Sequence, residues 1–290
     1  MHGLPDRLEE INTKIVKLSK EIAGGRAYVA GDMTTTGRML EPAGDISYEE
    51  LLDVYKEQAA VLANAGADLI IAETMLSVDE TTVLLDAVQA VCDLPVMCSL
   101  TLEADGRALY GGDAVEAVET LQAMGAVSVG LNCSVGPNQL EAVICSMKEV
   151  AEIPVLAKPN AGMPVMDKMG FAHYDMTPEQ FAAAMKKLIE AGAGVVGGCC
   201  GTTPEYIRAL AKVIGGNEKN ADGNVSFYSI CVFLYKTAGR KRKSFGASKN
   251  SSVFCPRMCL KDWMLPYFEF TLILHIPRFT FYIAPLQYCS

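Results

Sequence analysis

The feature that most constrains the fold is a regular alternation of short apolar runs and amphipathic segments across the first 215 residues. Each apolar run is nearly continuous and rich in Val, Ile and Leu, which is typical of strands buried on both faces of a sheet. The six predicted strands are 27–32, 67–73, 94–101, 126–133, 153–160 and 193–200. Because amphipathic segments separate them, their order predicts a parallel sheet with right-handed crossovers.

The segments between the predicted strands carry signals typical of helices. The predicted helices are 5–23, 48–65, 78–91, 112–124, 137–150, 178–191 and 204–213. Ser47 with Glu50, and Thr177 with Gln180, have the spacing of a capping box, in which side chains satisfy the first backbone N–H groups of a helix. The chain is therefore predicted to be an α/β protein.

Two arrangements of such a sheet are open at this point. A parallel (β/α)8 TIM-type barrel fits the polar residues and glycines that end each run, since the active sites of these barrels gather at the carboxyl ends of the strands. Such a barrel needs eight strands, and the sequence predicts six. A doubly wound sheet is the alternative, although no GxGxxG motif follows the first strand, which disfavours dinucleotide binding.

Residues 223–290 differ from the rest of the chain in composition. They carry nine basic and two acidic side chains and 14 of the 22 aromatic residues, whereas the first 222 residues carry 16 basic and 32 acidic ones. Proline and charged residues interrupt the apolar stretch 264–286, which disfavours a transmembrane helix. We expect residues 1–215 to form the barrel and residues 216–290 to form a linker and an irregular, poorly ordered C-terminal tail.

Charge and cysteine content indicate the compartment and the kind of partner. The net charge of −9 argues against a nucleic-acid partner. Ten cysteines among 290 residues are too few for a disulfide scaffold, and no signal-peptide pattern opens the sequence. We therefore expect a cytoplasmic protein whose thiols are reduced, with neither nucleic acid nor membrane as a partner.

Three cysteines stand at the ends of two predicted strands. Cys133 ends the motif GLNC at 130–133, and Cys199 and Cys200 lie in the motif GGCCGTTPE at 197–205. The glycines beside the cysteine pair permit backbone conformations in which both thiols converge on one point. Three protein ligands with an open fourth position are typical of catalytic zinc, and thiolates favour zinc over magnesium or calcium. The sequence therefore predicts a three-thiolate zinc site.

The thiolate ligands also indicate a type of reaction. Three thiolates place much negative charge on the ion, which makes it a poor generator of hydroxide. A fourth thiol that entered the site would lose its proton and stay nucleophilic, so the pattern favours alkyl transfer to a thiol over hydrolysis. Elsewhere in the chain, Cys92, Cys98 and Cys145 are interpreted as small core hydrophobes.

Several motifs resemble the zinc-dependent homocysteine S-methyltransferase family. The motifs are GLNC (130–133), KPNAG (158–162), GGCCGTTPEYI (197–207), YVAGDMTTTGRML (28–40) and AETM (72–75). The resemblance covers about residues 5–215, and KPNAGMP resembles most the homocysteine-binding module of cobalamin-dependent methionine synthases. Family members begin with a strand that bears a DGAMGT-like motif, which this sequence lacks. The resemblance therefore implies a TIM-type barrel without its first two strands.

The resemblance also implies roles for individual residues. Cys133, Cys199 and Cys200 would be the zinc ligands and the catalytic residues, with the sulfur of homocysteine in the fourth position. Glu73 would bind the amino group of homocysteine, or else be a solvent-facing loop acid. Asn160 would contact the substrate, or else only form a turn.

The activity that the resemblance implies is zinc-dependent methyl transfer to the thiol of homocysteine, which gives methionine. Methylcobalamin would be the methyl donor, and it would be bound outside this chain by a corrinoid-binding module or protein. Two alternatives stay open. One is a truncated, catalytically inactive zinc-binding remnant, and the other is an unrelated α/β barrel enzyme whose cysteines are structural.

Overall fold

The computed structural model describes residues 7–25, 27–169 and 171–215, together with the backbone of two strands at 229–233 and 270–275. Its helices are α1 (Leu8–Ala23), α2 (Tyr48–Asn64), α3 (Val78–Val91), α4 (Ala114–Ala123), α5 (Glu141–Val150), α6 (Pro178–Glu190) and α7 (Pro204–Gly215). Its strands are β1 (Ala27–Thr34), β2 (Leu69–Met75), β3 (Val96–Leu100), β4 (Ser128–Cys133), β5 (Val155–Pro159), β6 (Pro164–Met166), β7 (Ala172–Tyr174), β8 (Ala193–Gly198), β9 (Ser229–Phe233) and β10 (Phe270–His275).

The predicted strands and helices are present. Each of the six predicted strands lies within two residues of its expected bounds, and the helix expected at 137–150 is divided into a short 3-10 helix at Pro137–Gln139 and α5. Both halves of the capping box at Thr177 and Gln180 are formed at the start of α6. Ser47 caps α2 by accepting a hydrogen bond from the backbone N–H of Glu50. The local signals were therefore sufficient to define these elements.

The sheet is a closed barrel in the order β1-β2-β3-β4-β5-β8-β10-β9. Its first six members are the predicted strands, and all neighbours among them pair in parallel, so the prediction of a parallel α/β sheet of six strands is confirmed. β9 pairs in parallel with β1, whereas β10 runs antiparallel to both β8 and β9. The antiparallel strand departs from the uniformly parallel (β/α)8 pattern that was expected.

The two closing strands come from the region expected to be an irregular tail. Sequence analysis predicted no strand between residues 216 and 290, yet β9 and β10 occupy the barrel positions beside β1 and β8. The described residues that precede β1 form α1. The expectation of poor order in 216–290 concerns residues that, apart from β9 and β10, lie outside the described part of the chain.

The core follows from the burial pattern of strands and helices. All five residues of β3 and all five of β5 are buried, as expected of strands covered on both faces. α2 buries Leu51, Tyr55, Ala59 and Leu62, whose spacing places them on one helical face against the sheet. The largest fully buried apolar side chains are Met33, Leu51, Ile70, Ile71, Met75, Leu84, Leu85, Leu100, Leu102, Leu121 and Phe181. Burial of each such side chain contributes about 1.5–3 kcal/mol.

One glycine permits a close approach of two strands beside the carboxyl edge of the barrel. A Cβ atom at Gly130 in β4 would lie 1.9 Å from the carbonyl oxygen of Leu156 in β5, which is far inside van der Waals contact. Gly130 and Leu156 are also paired in the sheet register. The absence of a side chain at residue 130 therefore sets the distance between β4 and β5, and with it the position of the residues that follow both strands.

A buried carboxylate anchors the loop that follows β1. Glu80, in the first turn of α3, is 2 % exposed. Its carboxylate accepts hydrogen bonds from the backbone N–H and the hydroxyl of Thr36, both at 2.7 Å, from the hydroxyl of Thr35 at 2.5 Å and from the hydroxyl of Tyr55 at 2.7 Å. Neutral donors from the loop and from α2 thus fill the hydrogen-bonding positions of the Glu80 carboxylate, and they hold the loop against α2 and α3.

Outside the barrel, β6 and β7 form a short antiparallel hairpin between β5 and α6, which sequence analysis did not predict. All three residues of β6 are exposed, so the segment lacks the apolar run that identifies a buried strand. Among the residues that the structure describes, no helix is long and apolar enough to span a lipid bilayer.

Candidate metal centre

The structure brings the three predicted cysteines together at the carboxyl edge of the barrel. Cys133 is the last residue of β4, and Cys199 and Cys200 directly follow β8. Their three Sγ atoms all lie within 4.8 Å of one another, and those of Cys133 and Cys200 are 3.6 Å apart. A tetrahedral zinc with Zn–S bonds of about 2.3 Å separates its sulfur ligands by about 3.8 Å. The spacing of the thiols therefore fits a zinc ion.

Unusual backbone conformations allow this convergence. Cys133 and Ser134 have φ angles of 63° and 54°, in the left-handed region that residues other than glycine seldom adopt. Gly201, with φ of 78°, turns the chain directly after the two adjacent cysteines. The backbone N–H of Cys199 still donates to the carbonyl of Pro159 at 2.9 Å, so the cysteine pair starts from a fixed position beside β5.

Asn160 joins the two loops that carry the thiols. Its Nδ2 donates to the carbonyl oxygen of Ser134 at 3.0 Å, and its Oδ1 accepts from the backbone N–H of Cys200 at 3.1 Å. The side chain is 3 % exposed, and both ends of its amide are engaged by the backbone on either side of the centre. Asn160 therefore clamps the loops, and its expected contact with substrate stays a prediction.

Electrostatics within the thiol cluster favour a cation. The hydrogen bond with Cys133, together with burial, raises the pKa of the Cys199 thiol above its usual value. Hydrogen bonds with Cys133 and Cys199, followed by burial, raise the pKa of Cys200. Three thiols this close cannot all ionise unless a positive charge compensates them, and a metal ion supplies that charge. Soft thiolate ligands in this number suit zinc.

Glu73 forms a buried ion pair inside the barrel. It belongs to β2, and its carboxylate accepts a hydrogen bond from the ammonium group of Lys158 in β5. The two strands are separated by β3 and β4 in the sheet, so the side chains meet inside the barrel. Glu73 is 1 % exposed and Lys158 is fully buried, which excludes the interpretation of Glu73 as a solvent-facing loop acid.

Asn132 is a polar residue of the site that sequence analysis did not identify. The side chain of Asn132, which directly precedes Cys133, contacts Thr74, Ser99 and the sulfur of Cys199. Its position within the GLNC motif was the only local signal, because its partners lie on strands far apart in the sequence.

Among the residues whose side chains the structure describes, three cysteines lie outside the centre, and they differ in burial. Cys98 is buried in β3, and burial raises the pKa of its thiol to about 12, as expected of a core hydrophobe. Cys92 is partly buried. Cys145 is exposed, so its interpretation as a core residue is wrong, because α5 turns this position away from the sheet.

The fold and the thiol cluster define the class of protein. The chain is an α/β barrel protein with a thiol-rich candidate metal centre at the carboxyl ends of its strands. A sequence model described as Homocysteine S-methyltransferase matches residues 1–214. The chain therefore belongs to the homocysteine S-methyltransferase family, and the alternative of an unrelated barrel enzyme is excluded.

Relatives with similar sequences are much longer than this chain. The methionine synthase of Mycobacterium tuberculosis is 31 % identical over 246 residues, which cover 81 % of this chain and 20 % of that protein. The methionine synthase of Mycobacterium leprae is 30 % identical over 250 residues, which cover 81 % of this chain and 21 % of that protein. The chain thus spans about a fifth of the length of these relatives.

Solved structures share the fold. The apo form of the homocysteine methyltransferase MmuM from Escherichia coli superimposes with a TM-score of 0.60 at 22 % identity, over 73 % of this chain and 76 % of that one. Its metallated form gives a TM-score of 0.57 at 22 % identity, over 70 % of this chain and 69 % of that one. These similarities support the barrel architecture.

Proposed function

We propose that this chain activates the thiol of homocysteine for methyl transfer, which gives methionine. The observation that carries the proposal is the set of three Sγ atoms within 4.8 Å of one another at the carboxyl edge of a family barrel. A buried carboxylate, Glu73, lies inside the same barrel. Together these groups offer one place for a soft metal ion and one for the positive amino group of an amino acid.

Cys133, Cys199 and Cys200 would hold Zn²⁺. The ion would supply the Lewis acidity that keeps the sulfur of homocysteine deprotonated at neutral pH. The three cysteines would release their own protons when the ion binds, so the affinity for the metal would fall as the pH is lowered. Asn160 would keep the loops of Cys133 and Cys200 at a constant separation by its two backbone hydrogen bonds.

Glu73 would bind the amino group of homocysteine. Its carboxylate already faces one ammonium group, that of Lys158, and this pairing supports a place for a cation beside it. The substrate would add a second ammonium partner, and Lys158 would keep the carboxylate oriented towards the barrel interior. Binding of the amino group would thereby orient the sulfur of homocysteine towards the metal ion.

The methyl transfer balances as a nucleophilic displacement. Homocysteine gives up the proton of its thiol to solvent, and an electron pair of sulfur forms the new S–CH₃ bond. The bond between the methyl group and its donor breaks, and its electron pair stays with the donor. The resemblance of KPNAGMP to the homocysteine-binding module of cobalamin-dependent methionine synthases supports methylcobalamin as that donor, which would be bound by a corrinoid-binding module outside this chain. The need for three reduced thiols supports the cytoplasm as the location.

We also propose a domain boundary at residue 215. The family match ends at residue 214, and α7 ends at residue 215. A chain that stops at residue 215 is expected to fold and to bind zinc as the full chain does. Loss of both properties, measured by circular dichroism and elemental analysis, would show that the strands from 216–290 are part of the barrel unit.

The barrel closure favours a second candidate, a zinc-binding remnant without turnover. The two strand positions beside β1 and β8 are taken by β9 and β10, and β10 runs antiparallel. Because β10 is antiparallel to β8, its amino end lies at the edge of the barrel where a parallel strand would place its carboxyl end. A site altered in this way would keep its thiols and lose the substrate contacts supplied from that side.

Two measurements on the purified full chain separate these candidates. Zinc per chain is determined for the parent and for Cys133→Ala, with circular dichroism to verify folding, and methionine is then assayed from homocysteine and methylcobalamin. About one zinc per parent chain, its loss in the folded variant, and methionine formation would support the enzyme. Zinc without methionine would support the remnant. A folded parent without zinc would overturn both.

A further inference from the structure

A single buried amide connects the thiol cluster to the acid inside the barrel. Asn132 is 1 % exposed and directly precedes Cys133 in β4. The amide reaches Thr74 at the end of β2, Ser99 in β3 and Cys199 after β8.

Every hydrogen-bonding position of this amide is occupied. Its Oδ1 accepts from the backbone N–H of Thr74 at 3.0 Å and from the hydroxyl of Ser99 at 2.6 Å. Its Nδ2 donates to the hydroxyl oxygen of Thr74 at 2.8 Å and to the Sγ of Cys199 at 3.7 Å. An asparagine amide has two donor hydrogens and two acceptor lone pairs, and all four are used here.

The partners also fix which way the amide is turned. A backbone N–H can only donate, so the atom that faces the N–H of Thr74 must be Oδ1. The opposite atom, which faces the sulfur of Cys199, must then be the NH₂ group. The contact with sulfur is therefore an N–H···S hydrogen bond, and it would persist when the thiol becomes a thiolate and a better acceptor.

The same amide holds an unusual backbone conformation next to Glu73. Thr74 has a φ of 59°, in the left-handed region that β-branched residues rarely adopt. Two of the four hydrogen bonds of Asn132 go to this residue, one to its backbone and one to its side chain. Since Thr74 directly follows Glu73, the backbone conformation of Thr74 helps to determine the position of the Glu73 carboxylate.

We propose that Asn132 is a positioning residue that ties the Cys199 sulfur to the Glu73–Thr74 turn. It orients one metal ligand by its N–H···S bond and, through Thr74, holds the carboxylate at a constant distance from the thiols. Hydrogen-bond partners of metal ligands contribute to metal affinity as well as to geometry. The part of the inference that concerns homocysteine rests on the proposed function, whereas the part that concerns the metal does not.

The test compares three single variants of the full chain. Asn132→Asp keeps the acceptor for the backbone N–H of Thr74 and for Ser99, but it replaces the NH₂ group that donates to Cys199 and to the hydroxyl of Thr74 with a carboxylate oxygen. Its zinc affinity, measured by competition with a chelator, is expected to fall about 10- to 100-fold. The thiolate-to-metal absorption of its Co²⁺ form should shift, since the sulfur loses a donor. Ser99→Ala, which leaves the bond to Cys199 in place, is the matched control and should retain the affinity and the spectrum of the parent.

The third variant distinguishes the effect of Asn132 on the Cys199 sulfur from its effect on the Glu73–Thr74 turn. Thr74→Val removes the hydroxyl that accepts from Nδ2 and adds no charge. It is expected to keep the zinc affinity of the parent and to raise the KM for homocysteine. A role in folding alone would not produce this split between metal affinity and KM. This variant also tests the proposal if Asn132→Asp fails to fold, as judged by circular dichroism.

The outcomes are distinct. Unchanged zinc affinity and an unchanged Co²⁺ spectrum in folded Asn132→Asp would overturn the proposal, as would equal losses in Asn132→Asp and Ser99→Ala. Loss of affinity in Asn132→Asp alone would support it. If the parent binds zinc at the three thiols but forms no methionine, the proposed function fails, while the comparison of zinc affinities still decides the role of Asn132 at the metal.

Discussion

Two regions of the molecule bury a glutamate and satisfy it in opposite ways. Inside the barrel, Glu73 faces the ammonium group of Lys158, and both side chains are almost completely buried. At the start of α3, Glu80 is equally buried, but its carboxylate is surrounded by hydroxyl groups and a backbone N–H. One acid is compensated by charge and the other by neutral donors.

The different partners of Glu73 and Glu80 indicate different roles for the two regions. In the proposed function, Glu73 would keep the ammonium group of Lys158 as a partner and would gain the ammonium group of homocysteine as a second one. A carboxylate held by neutral donors at a helix N-terminus is already satisfied, since the donors and the helix dipole both favour its negative charge. The region around Glu80 therefore stabilises a loop, whereas the region around Glu73 is the one proposed to bind the amino group of the substrate.

The largest effect should come from breaking the charge pair. Lys158→Met leaves Glu73 buried without its cation, and the free energy of unfolding should fall by about 3–5 kcal/mol. Urea unfolding monitored by circular dichroism measures the loss. The double variant Glu73→Gln/Lys158→Met should recover part of it, because no charge is then left buried. Equal stability of Lys158→Met and the parent would contradict the assignment of a buried ion pair.

The next largest effect should be on kcat/KM for homocysteine, and it distinguishes Glu73 from Glu80. Glu73→Gln keeps the shape of the side chain but loses the charge that attracts the amino group of homocysteine. Its kcat/KM for homocysteine should fall about 10- to 100-fold. Because Glu73→Gln also leaves Lys158 buried without its anion, kcat/KM is compared only after circular dichroism shows that this variant is folded. Glu80→Gln makes the same chemical change outside the proposed site and should leave kcat/KM near that of the parent. Similar losses in both variants would show that the comparison does not separate binding from folding.

Replacing the acid held by neutral donors should have a moderate effect on stability. Glu80→Gln weakens hydrogen bonds to Thr35, Thr36 and Tyr55 but strands no opposite charge, so we expect a loss of about 2 kcal/mol in the free energy of unfolding. Zinc per chain should stay at the parental value. A loss as large as that of Lys158→Met would mean that the two acids are equally dependent on their partners.

The smallest effect should follow from Tyr55→Phe, which removes one donor to Glu80. The expected loss at neutral pH is about 1 kcal/mol. Burial, and then the charge and the hydrogen bond of Glu80, raise the pKa of Tyr55 above its ordinary value of 10.0. The folded chain keeps this proton where the unfolded chain releases it, so Tyr55 contributes stability below about pH 10 that is lost as the pH rises further.

The dependence of the free energy of unfolding on alkaline pH can be measured in the parent and in Tyr55→Phe. Above about pH 10, the free energy of unfolding of the parent should fall more steeply than that of Tyr55→Phe, by about 1.4 kcal/mol per pH unit. Urea titrations at several pH values on either side of this point provide the slopes. Parallel slopes for the two proteins would contradict the burial of the tyrosine hydroxyl next to Glu80.

The fold was predictable where a local pattern carries the information. Nearly continuous apolar runs defined the six parallel strands, because both faces of each are covered. The β6–β7 hairpin was missed because its residues are exposed and show no apolar run. β9 and β10 were missed because an apolar stretch such as 226–235 lacks the alternating helical segments that mark a βα unit. Local patterns therefore predicted the six parallel strands, but they did not predict β9 and β10, which close the barrel.

The candidate site was predictable to a similar extent. Glycines beside adjacent cysteines indicated convergence with Cys133, and the structure brings the three thiols together. The pairing of Glu73 with Lys158, and the contacts of Asn132 with Thr74, join residues that are 85 and 58 positions apart. Such contacts depend on which strands face each other across the barrel, and no local spacing in the sequence encodes that.

The close approach at Gly130 has a consequence for how substitutions in this family are judged. Alanine for glycine is the mildest exchange on most scales of residue similarity, yet one methyl group at this position would meet the carbonyl oxygen of Leu156. β4 and β5 would have to separate, and Cys133 ends β4 while Asn160 directly follows β5. A variant that looks neutral by its chemistry would then behave as a loss-of-function allele without altering any residue that touches metal or substrate.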